Sequence, residues 1–237
     1  MALGVEICTV GMMQTNCYII YKKDDKAQEN ALQAGEAGER GCILVDPGAQ
    51  PEKIEACCQK HGAKPVAILL THGHFDHTMA VEPILKKYGK MPVYALKEEL
   101  PLLEEPKLNL SERFTTQVRL TGDVVTPVED GQKLSLLGHT FTVIATPGHT
   151  GGGCCYYAAD SGLLFAGDTL FRESYGRTDF PTGSMREIVK SIGGRLLPLP
   201  EETKVYPGHE APTTIAHERK YNICAVIYQK ALEQNKL

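Results

Sequence analysis

The sequence of 237 residues has no tryptophan, no C-x-x-C pair and no long apolar run. Its longest aliphatic stretch, Val66 to Leu70, falls far short of the ~18 residues a membrane-spanning helix needs. Neither charge is in large surplus: 25 Lys and Arg stand against 29 Asp and Glu, a formal net charge of −4. That balance gives no global electrostatic reason to expect a nucleic-acid or membrane partner. The opening Met1-Ala2-Leu3-Gly4-Val5-Glu6 lacks a basic stretch followed by an apolar one, so no secretory leader is expected and a cytoplasmic location is. None of the eight cysteines has a spacing suited to paired thiolate ligation. The adjacent pairs Cys57-Cys58 and Cys154-Cys155 are expected to be reduced, partly buried thiols.

With 42% apolar and 23% charged residues, the chain can bury a core without disulfides, and one domain is expected over 1–237. Alternating residues predict strands over 5–10 and 17–21, separated by a turn at 11–14. Residues 22–41 turn charged and small and read as surface, with a short helix near 27–34 as an option. Apolar runs predict strands over 42–45 and 65–70, the second buried on both faces, with a helix over 51–60 between them. A helix over 76–88 and a strand over 92–95 follow, while 98–122 gives no clear pattern. Later strands are expected at 133–137 and 140–145, joined by a tight turn at Gly138-His139, then at 154–158, 163–166 and 204–206. Helices are expected over 184–196, with Ser184 as N-cap and Glu187 at the third position, and over 213–221 and 221–233. Strands early and late with helices between them indicate a sheet-rich α/β architecture.

The chemistry concentrates in Thr71-His72-Gly73-His74-Phe75-Asp76-His77, directly after an apolar strand. On a helix, alternate positions lie about 200° apart, so His72, His74 and Asp76 could not converge. In an extended loop alternate side chains can share a face, and His77, one residue out of phase, would serve a neighbouring site. Three further strand ends carry a glycine turn with a His or Asp at its lip: Thr146-Pro147-Gly148-His149-Thr150, Phe165-Ala166-Gly167-Asp168-Thr169 and Val205-Tyr206-Pro207-Gly208-His209. Five of the eight histidines fall in this pattern, which argues against coincidence; His61, His139 and His217 lie outside it and read as surface residues.

An H-x-H-x-D-H run followed in order by His, Asp and His resembles the metallo-β-lactamase superfamily along nearly the whole chain. The resemblance implies a four-layer αββα sandwich, two mixed β-sheets flanked by helices. It also implies two divalent metal ions, zinc foremost with iron or manganese as options: His72, His74 and His149 for one ion, Asp76, His77 and His209 for the other. Asp168 would bridge them. Imidazole and carboxylate ligands without thiolate fit any of these metals, and a water held between two ions can ionise near neutral pH and attack a carbonyl. Asp76 and Asp168 are therefore the expected catalytic carboxylates.

Within the superfamily, Thr15-Asn16-Cys17-Tyr18, Val45-Asp46-Pro47-Gly48 and Gly167-Asp168-Thr169-Leu170-Phe171 resemble the glyoxalase II-like hydrolases. The stretch Gly176-Arg177-Thr178-Asp179-Phe180-Pro181 resembles the short bacterial members and also the persulfide dioxygenases. The residues after 209 are too few for the separate glutathione-binding C-terminal domain of the classical enzymes, so none is expected. The leading expectation is hydrolysis of an acyl thioester such as S-D-lactoylglutathione or a related small thioester. A mononuclear-iron persulfide dioxygenase using His72, His149 and Asp168, a lactone or ester hydrolase, and a metal-binding scaffold without catalysis are the alternatives. Arg177 has two readings: it binds an anionic group of the substrate through its fork, or it pairs with Asp179 to hold the loop. Asp46 and Asp179 are expected to support the site from behind, Asp46 by steadying a ligand histidine or by shaping its turn. A small-molecule substrate, no nucleic-acid or membrane partner, and a monomer or small homo-oligomer complete the expectations.

Overall fold

Alternation along each strand sorts its side chains into two apolar environments, and the two environments generate the layers. The computed structural model of the chain describes residues 2–23, 40–115 and 117–234; the option of a helix near 27–34 lies outside them. One sheet takes the order β1 (Leu3–Val10), β2 (Thr15–Lys22), β3 (Arg40–Val45), β4 (Ala63–Leu69), β5 (Val93–Leu96) and β6 (Thr126–Val128). Its first three strands are antiparallel and β3 to β6 are parallel. Cys17, Ile19, Leu44 and Ile68 point to one face, against Ile54 and Cys58 of α1 (Pro51–Gln59) and, beyond the short α2 (Phe75–Thr78), against Val81 and Ile84 of α3 (Val81–Tyr88).

Their neighbours Tyr18, Ile20, Ile43, Val45 and Leu69 face the other way and meet Phe141, Val143, Tyr156 and Phe165 of a second sheet. That sheet comprises β7 (Lys133–Leu136), β8 (His139–Ala145), β9 (Cys154–Ala158), β10 (Leu163–Gly167), β13 (Lys204–Pro207) and β14 (Thr213–Thr214). The small hairpin of β11 (Leu170–Phe171) and β12 (Ser174–Tyr175) stands apart. On its outer face Cys155, Leu164, Ala166 and Val205 pack on Ile188 and Val189, on Ile192 and Leu196, and on Ile215 and Cys224. These belong to the helical segments that follow α4 (Leu100–Glu104): α5 (Met185–Lys190), a π-helical turn at Ser191–Leu196, α6 (Ile215–Tyr221) and α7 (Ile223–Glu233). Helix, sheet, sheet, helix is the expected αββα order. Phe141, Tyr156 and Phe165 are fully buried between the sheets; truncating one to Ala would cost about 3–5 kcal/mol.

The elements follow the sequence closely, with instructive departures. The expected helix over 76–88 is two helices, because Pro83 lacks an N–H and its ring would strike the carbonyl of residue 79; it sits instead in the first turn of α3. The β7–β8 turn is Leu137-Gly138, one residue earlier than expected, with φ of 52° and 75° at the two positions as a type I′ turn requires. Ser184 caps α5, accepting from the Glu187 N–H at 3.3 Å, as its spacing predicts. The strands β4, β8, β10 and β13 each run into a turn bearing His or Asp, and these turns gather where the two sheets face each other. The Cys154 N–H donates to the Thr71 carbonyl at 2.8 Å across that seam.

Candidate metal centre

The seven sequence-singled His and Asp residues converge. The ligand-type atoms of His72, His74 and His149 lie within 4.8 Å of one another, as do those of Asp76, His77 and His209. Asp168 stands between the groups: its Oδ2 is 3.6 Å from His149 Nε2 and 3.5 Å from His209 Nε2, and its Oδ1 is 3.4 Å from His77 Nε2. His72 and His74 point together because the chain stays extended through Gly73, and His77 is turned toward the other group by the start of α2. Gly208 is needed for close approach: a methyl there would overlap Asp168 Oδ1 and lie 2.7 Å from His77 Cε1.

Hydrogen bonds on the far side of each ring choose its tautomer. Asp46 Oδ2 accepts from His77 Nδ1 at 3.0 Å and from the Thr71 hydroxyl at 2.6 Å, while Oδ1 accepts from the Thr71 N–H at 2.8 Å. With its hydrogen committed to Asp46, the Thr71 oxygen accepts from His72 Nδ1 at 3.1 Å. His149 Nδ1 donates to the Arg177 carbonyl at 2.7 Å. His72, His77 and His149 therefore all turn Nε2 inward. His74 presents Nδ1, 3.0 Å from His149 Nε2. Among the described residues, the buried His72 Nε2, His74 Nε2 and Asp168 Oδ1 have no hydrogen-bond partner. Of these, His72 Nε2 and Asp168 Oδ1 face the two groups as buried, unpartnered acceptors of the kind a cation satisfies, while His74 turns Nδ1 inward and Nε2 away; the donor set fits one divalent ion in each group.

The two halves differ electrically. Burial, followed by the neighbouring imidazoles, holds His72 well below the ordinary histidine value, and burial with His149 beside it takes His74 down to about 3. His77 is also pushed down by burial, but Asp76 and Asp168, then Asp46, pull it up to about 10. Burial works against His209 as well, and its hydrogen bond with Asp76 raises it overall. Asp76 resists the upward push of burial and lies below the usual carboxylate range, through His77 and hydrogen bonds from His209 and Thr15. On one side His72 and His74 are held down, and on the other carboxylates hold His77 and His209 up.

Asp46 lies behind these residues: its carboxylate bonds His77 directly and reaches His72 through the Thr71 hydroxyl. Arg177 is in a different situation. Its guanidinium is exposed, makes a bidentate pair with Asp179 at 2.8 and 2.7 Å, and lies 3.9 Å over the Phe180 ring. Its side chain makes the local ion pair, and its backbone carbonyl accepts from His149 Nδ1. Asp179 pairs with Arg177, whose carbonyl meets His149. His139 and His217 are engaged by Asp160 and Glu173, each at 2.8 Å, away from the centre.

Four features went unassigned in the sequence. The Thr15 hydroxyl donates to Asp76 Oδ2 at 2.9 Å. Asn16 Nδ2 holds the carbonyls of Pro207 and Glu210 at 3.2 and 2.9 Å, and the Tyr18 hydroxyl also donates to Pro207, so the Thr15–Tyr18 motif clamps the loop that carries His209. Phe180 packs edge-on to His74 and His149 with centroids 5.5 and 6.3 Å away, an apolar wall beside the first group. Glu99 is buried between two ligand loops.

The profile of the Metallo-beta-lactamase superfamily matches residues 31–209. A probable metallo-hydrolase of Streptococcus pyogenes is 36% identical over 188 residues, 78% of this chain and 81% of that protein. Hydroxyacylglutathione hydrolase GloC of Haemophilus influenzae is 30% identical over 224 residues, 93% of this chain and 97% of that protein. Of solved structures, the BLEG-1 B3 metallo-beta-lactamase superposes with a TM-score of 0.78 at 35% identity, covering 93% of this chain and 98% of its own. TTHA1623 in a di-iron-bound form gives 0.75 at 36% identity, with 92% and 99% covered. The fold, the His/Asp clusters and these matches agree: the chain belongs to the metallo-beta-lactamase superfamily, as one of its metallo-hydrolases.

Proposed function

We propose that the chain hydrolyses a small acyl thioester, of the S-D-lactoylglutathione type, at a centre of two divalent metal ions. The observation that carries the two-ion reading is Asp168, one carboxylate within 3.4–3.6 Å of imidazole nitrogens from both groups. His72, His74 and His149 would hold one ion, Asp76, His77 and His209 the other, and Asp168 both. Ions so held supply an acidified water as nucleophile and neutralise charge developing on the substrate carbonyl oxygen. The donor set suits zinc, manganese and iron alike, and TTHA1623 is a relative in a di-iron-bound form.

The chain's own residues do the rest. Asp76, kept ionised, leaves Oδ2 an acceptor that orients the attacking water between the groups, and Thr15 fixes that oxygen. Phe180, braced from its far side by Arg177, shields one flank of the site from bulk water and offers a surface to an apolar acyl or thiol portion. Attack of water on the carbonyl breaks the C–S bond, and the departing thiolate takes up the proton the water gave up. Thioester over other esters rests on GloC, whose name is hydroxyacylglutathione hydrolase, and on the motifs shared with glyoxalase II-like enzymes.

The test is metal content together with turnover. Protein purified without added metal is expected to carry about two ions per chain and to cleave S-D-lactoylglutathione. His74→Ala and Asp168→Ala are each expected to lower kcat/KM on the order of 10³-fold with the fold retained, as losing several kcal/mol of charge stabilisation implies. Wild-type turnover in either variant refutes the proposal. One iron per chain, with oxygen consumed on a glutathione persulfide, replaces it with the dioxygenase.

A further inference from the structure

Glu99 sits in the single turn Lys97–Glu99 that follows β5, is 1% exposed, and takes no part in the chemistry above. Its Oε1 accepts from the Gly73 N–H at 2.9 Å. Its Oε2 accepts from the Thr150 hydroxyl at 3.0 Å and from the Gly152 N–H at 2.9 Å. Gly73 lies between His72 and His74, and Thr150 directly follows His149. One carboxylate thus holds the two loops that carry the first group of ligands, and these loops come from opposite sheets. The approach is close: a side chain at Gly152 would overlap the backbone of Glu98 and Glu99.

Among the described residues no cationic side chain pairs with Glu99. A buried carboxylate without a counter-ion is costly to keep ionised, and burial pushes Glu99 up to about 7 against the pull of its three donors. A charge is not needed merely to pack this turn. What lies beyond the donors explains it: His72, His74 and His149 are three imidazoles whose negative neighbours are the shared Asp168 and, behind His72 through Thr71, Asp46, with none behind His74 and His149. A dication there would gain from an anion behind its ligand loops.

We infer that Glu99 is the positioning residue of the His72/His74/His149 site, fixing His149 against the other two imidazoles and compensating the charge of the ion they hold. This rests on the two-ion reading, and it makes an asymmetric prediction: Glu99 matters to one ion and not to its neighbour. Glu99→Gln keeps the shape but turns an N–H₂ toward backbone and hydroxyl donors. Thr150→Val removes a single donor and leaves the carboxylate in place.

The experiment is a Zn²⁺ titration of metal-free protein against a chromophoric chelator in two backgrounds. His209→Ala leaves the first site to be read alone, and His72→Ala leaves the second. In the His209→Ala background, Glu99→Gln is expected to weaken Zn²⁺ binding about 10–100-fold, the usual effect of losing a group that orients ligands. In the His72→Ala background it is expected to change binding by less than about twofold. Equal losses in both backgrounds, or none in either, overturn the inference. If Glu99→Gln fails to give a cooperative melt, Thr150→Val decides: a weakening of several-fold confined to the His209→Ala background supports the role, and no weakening there overturns it. Should unmodified protein bind one ion only, the two-ion reading fails on its own, separately from Glu99.

Discussion

Replacing Asp46 by Asn tests how the ligands are oriented, and the structure gives the expected cost. Asp46 has φ of 50°, a left-handed conformation that Asn accepts and Ala does not without about 1–2 kcal/mol of strain. Asp46→Asn therefore changes charge and donor pattern while leaving the turn alone. The amide oxygen can keep the Thr71 N–H at its 2.8 Å position. The amide nitrogen then falls where Oδ2 accepts from the Thr71 hydroxyl and His77 Nδ1. Thr71 can rotate to accept; His77 cannot stay as it is, because two N–H groups would face each other. Its proton must move to Nε2, the atom aimed at the second metal position. Losing one buried hydrogen bond to a charged acceptor costs about 1.5–3 kcal/mol, which converts to roughly 10–150-fold in affinity. Chelator competition should show the second Zn²⁺ step weakened by that factor. In a protein of this length the same energy lowers the melting temperature by about 3–12 °C. Metal affinity within twofold of the unmodified protein, with an unchanged melt, would refute the argument that Asp46 sets the tautomer.

Further predictions concern protons, space and the loop clamp. His77 must lose its proton to bind metal, and it is held up to about 10 by Asp76, Asp168 and Asp46. The second step should therefore release about one proton or more near pH 8 and strengthen about tenfold per pH unit up to roughly pH 10. The first step, with His72 and His74 already neutral, should be flatter. Calorimetry in buffers of different ionisation enthalpy reads this, and equal release in both steps contradicts it. In metal-free protein the sign is the same: a histidine raised by its partners stabilises the fold fully below its unfolded value near 6.5, and that contribution disappears as pH rises through about 10. Gly208→Ala should halve the metal content, since its methyl would overlap Asp168; a full complement would show that the loop can shift. Asn16→Ala should weaken the second ion more than the first, on the order of tenfold, because it frees the carbonyls on either side of His209; chelator titration separates the two.

The proposed ligand set was legible because its members cluster in the run after β4 and in glycine turns at three other strand ends, although Asp76 and His77 prove to lie in the short helix α2. The layers were legible for the same kind of reason: Ile19 and Ile20, or Ile43 and Leu44, face opposite environments because strands alternate. Glu99 carries no comparable mark. In Lys97-Glu98-Glu99-Leu100 it is one acidic residue beside another, and its burial is decided by Gly73 and Gly152 arriving from elsewhere in the chain. Arg177 shows the limit from the opposite side. Its side chain attracted the functional reading, while its carbonyl, which every residue has, meets His149. The break before Val81 was present in the sequence as Pro83 and needed only its missing N–H to be counted.

The clamp between Asn16 and the Pro207–Glu210 loop joins chain segments made at opposite ends of synthesis. His72 and His74 emerge early, but the second group is completed only when His209 arrives and the β1–β2 hairpin is waiting to receive its loop. Until then the nascent chain lacks one of the three residues, Asp76, His77 and His209, that gather in the second group. On the two-ion reading, a full complement of ions would mark finished folding as well as readiness for chemistry. A molecule cut before β13 keeps six of the seven proposed ligands and lacks only His209, so on the two-ion reading its second group is left incomplete.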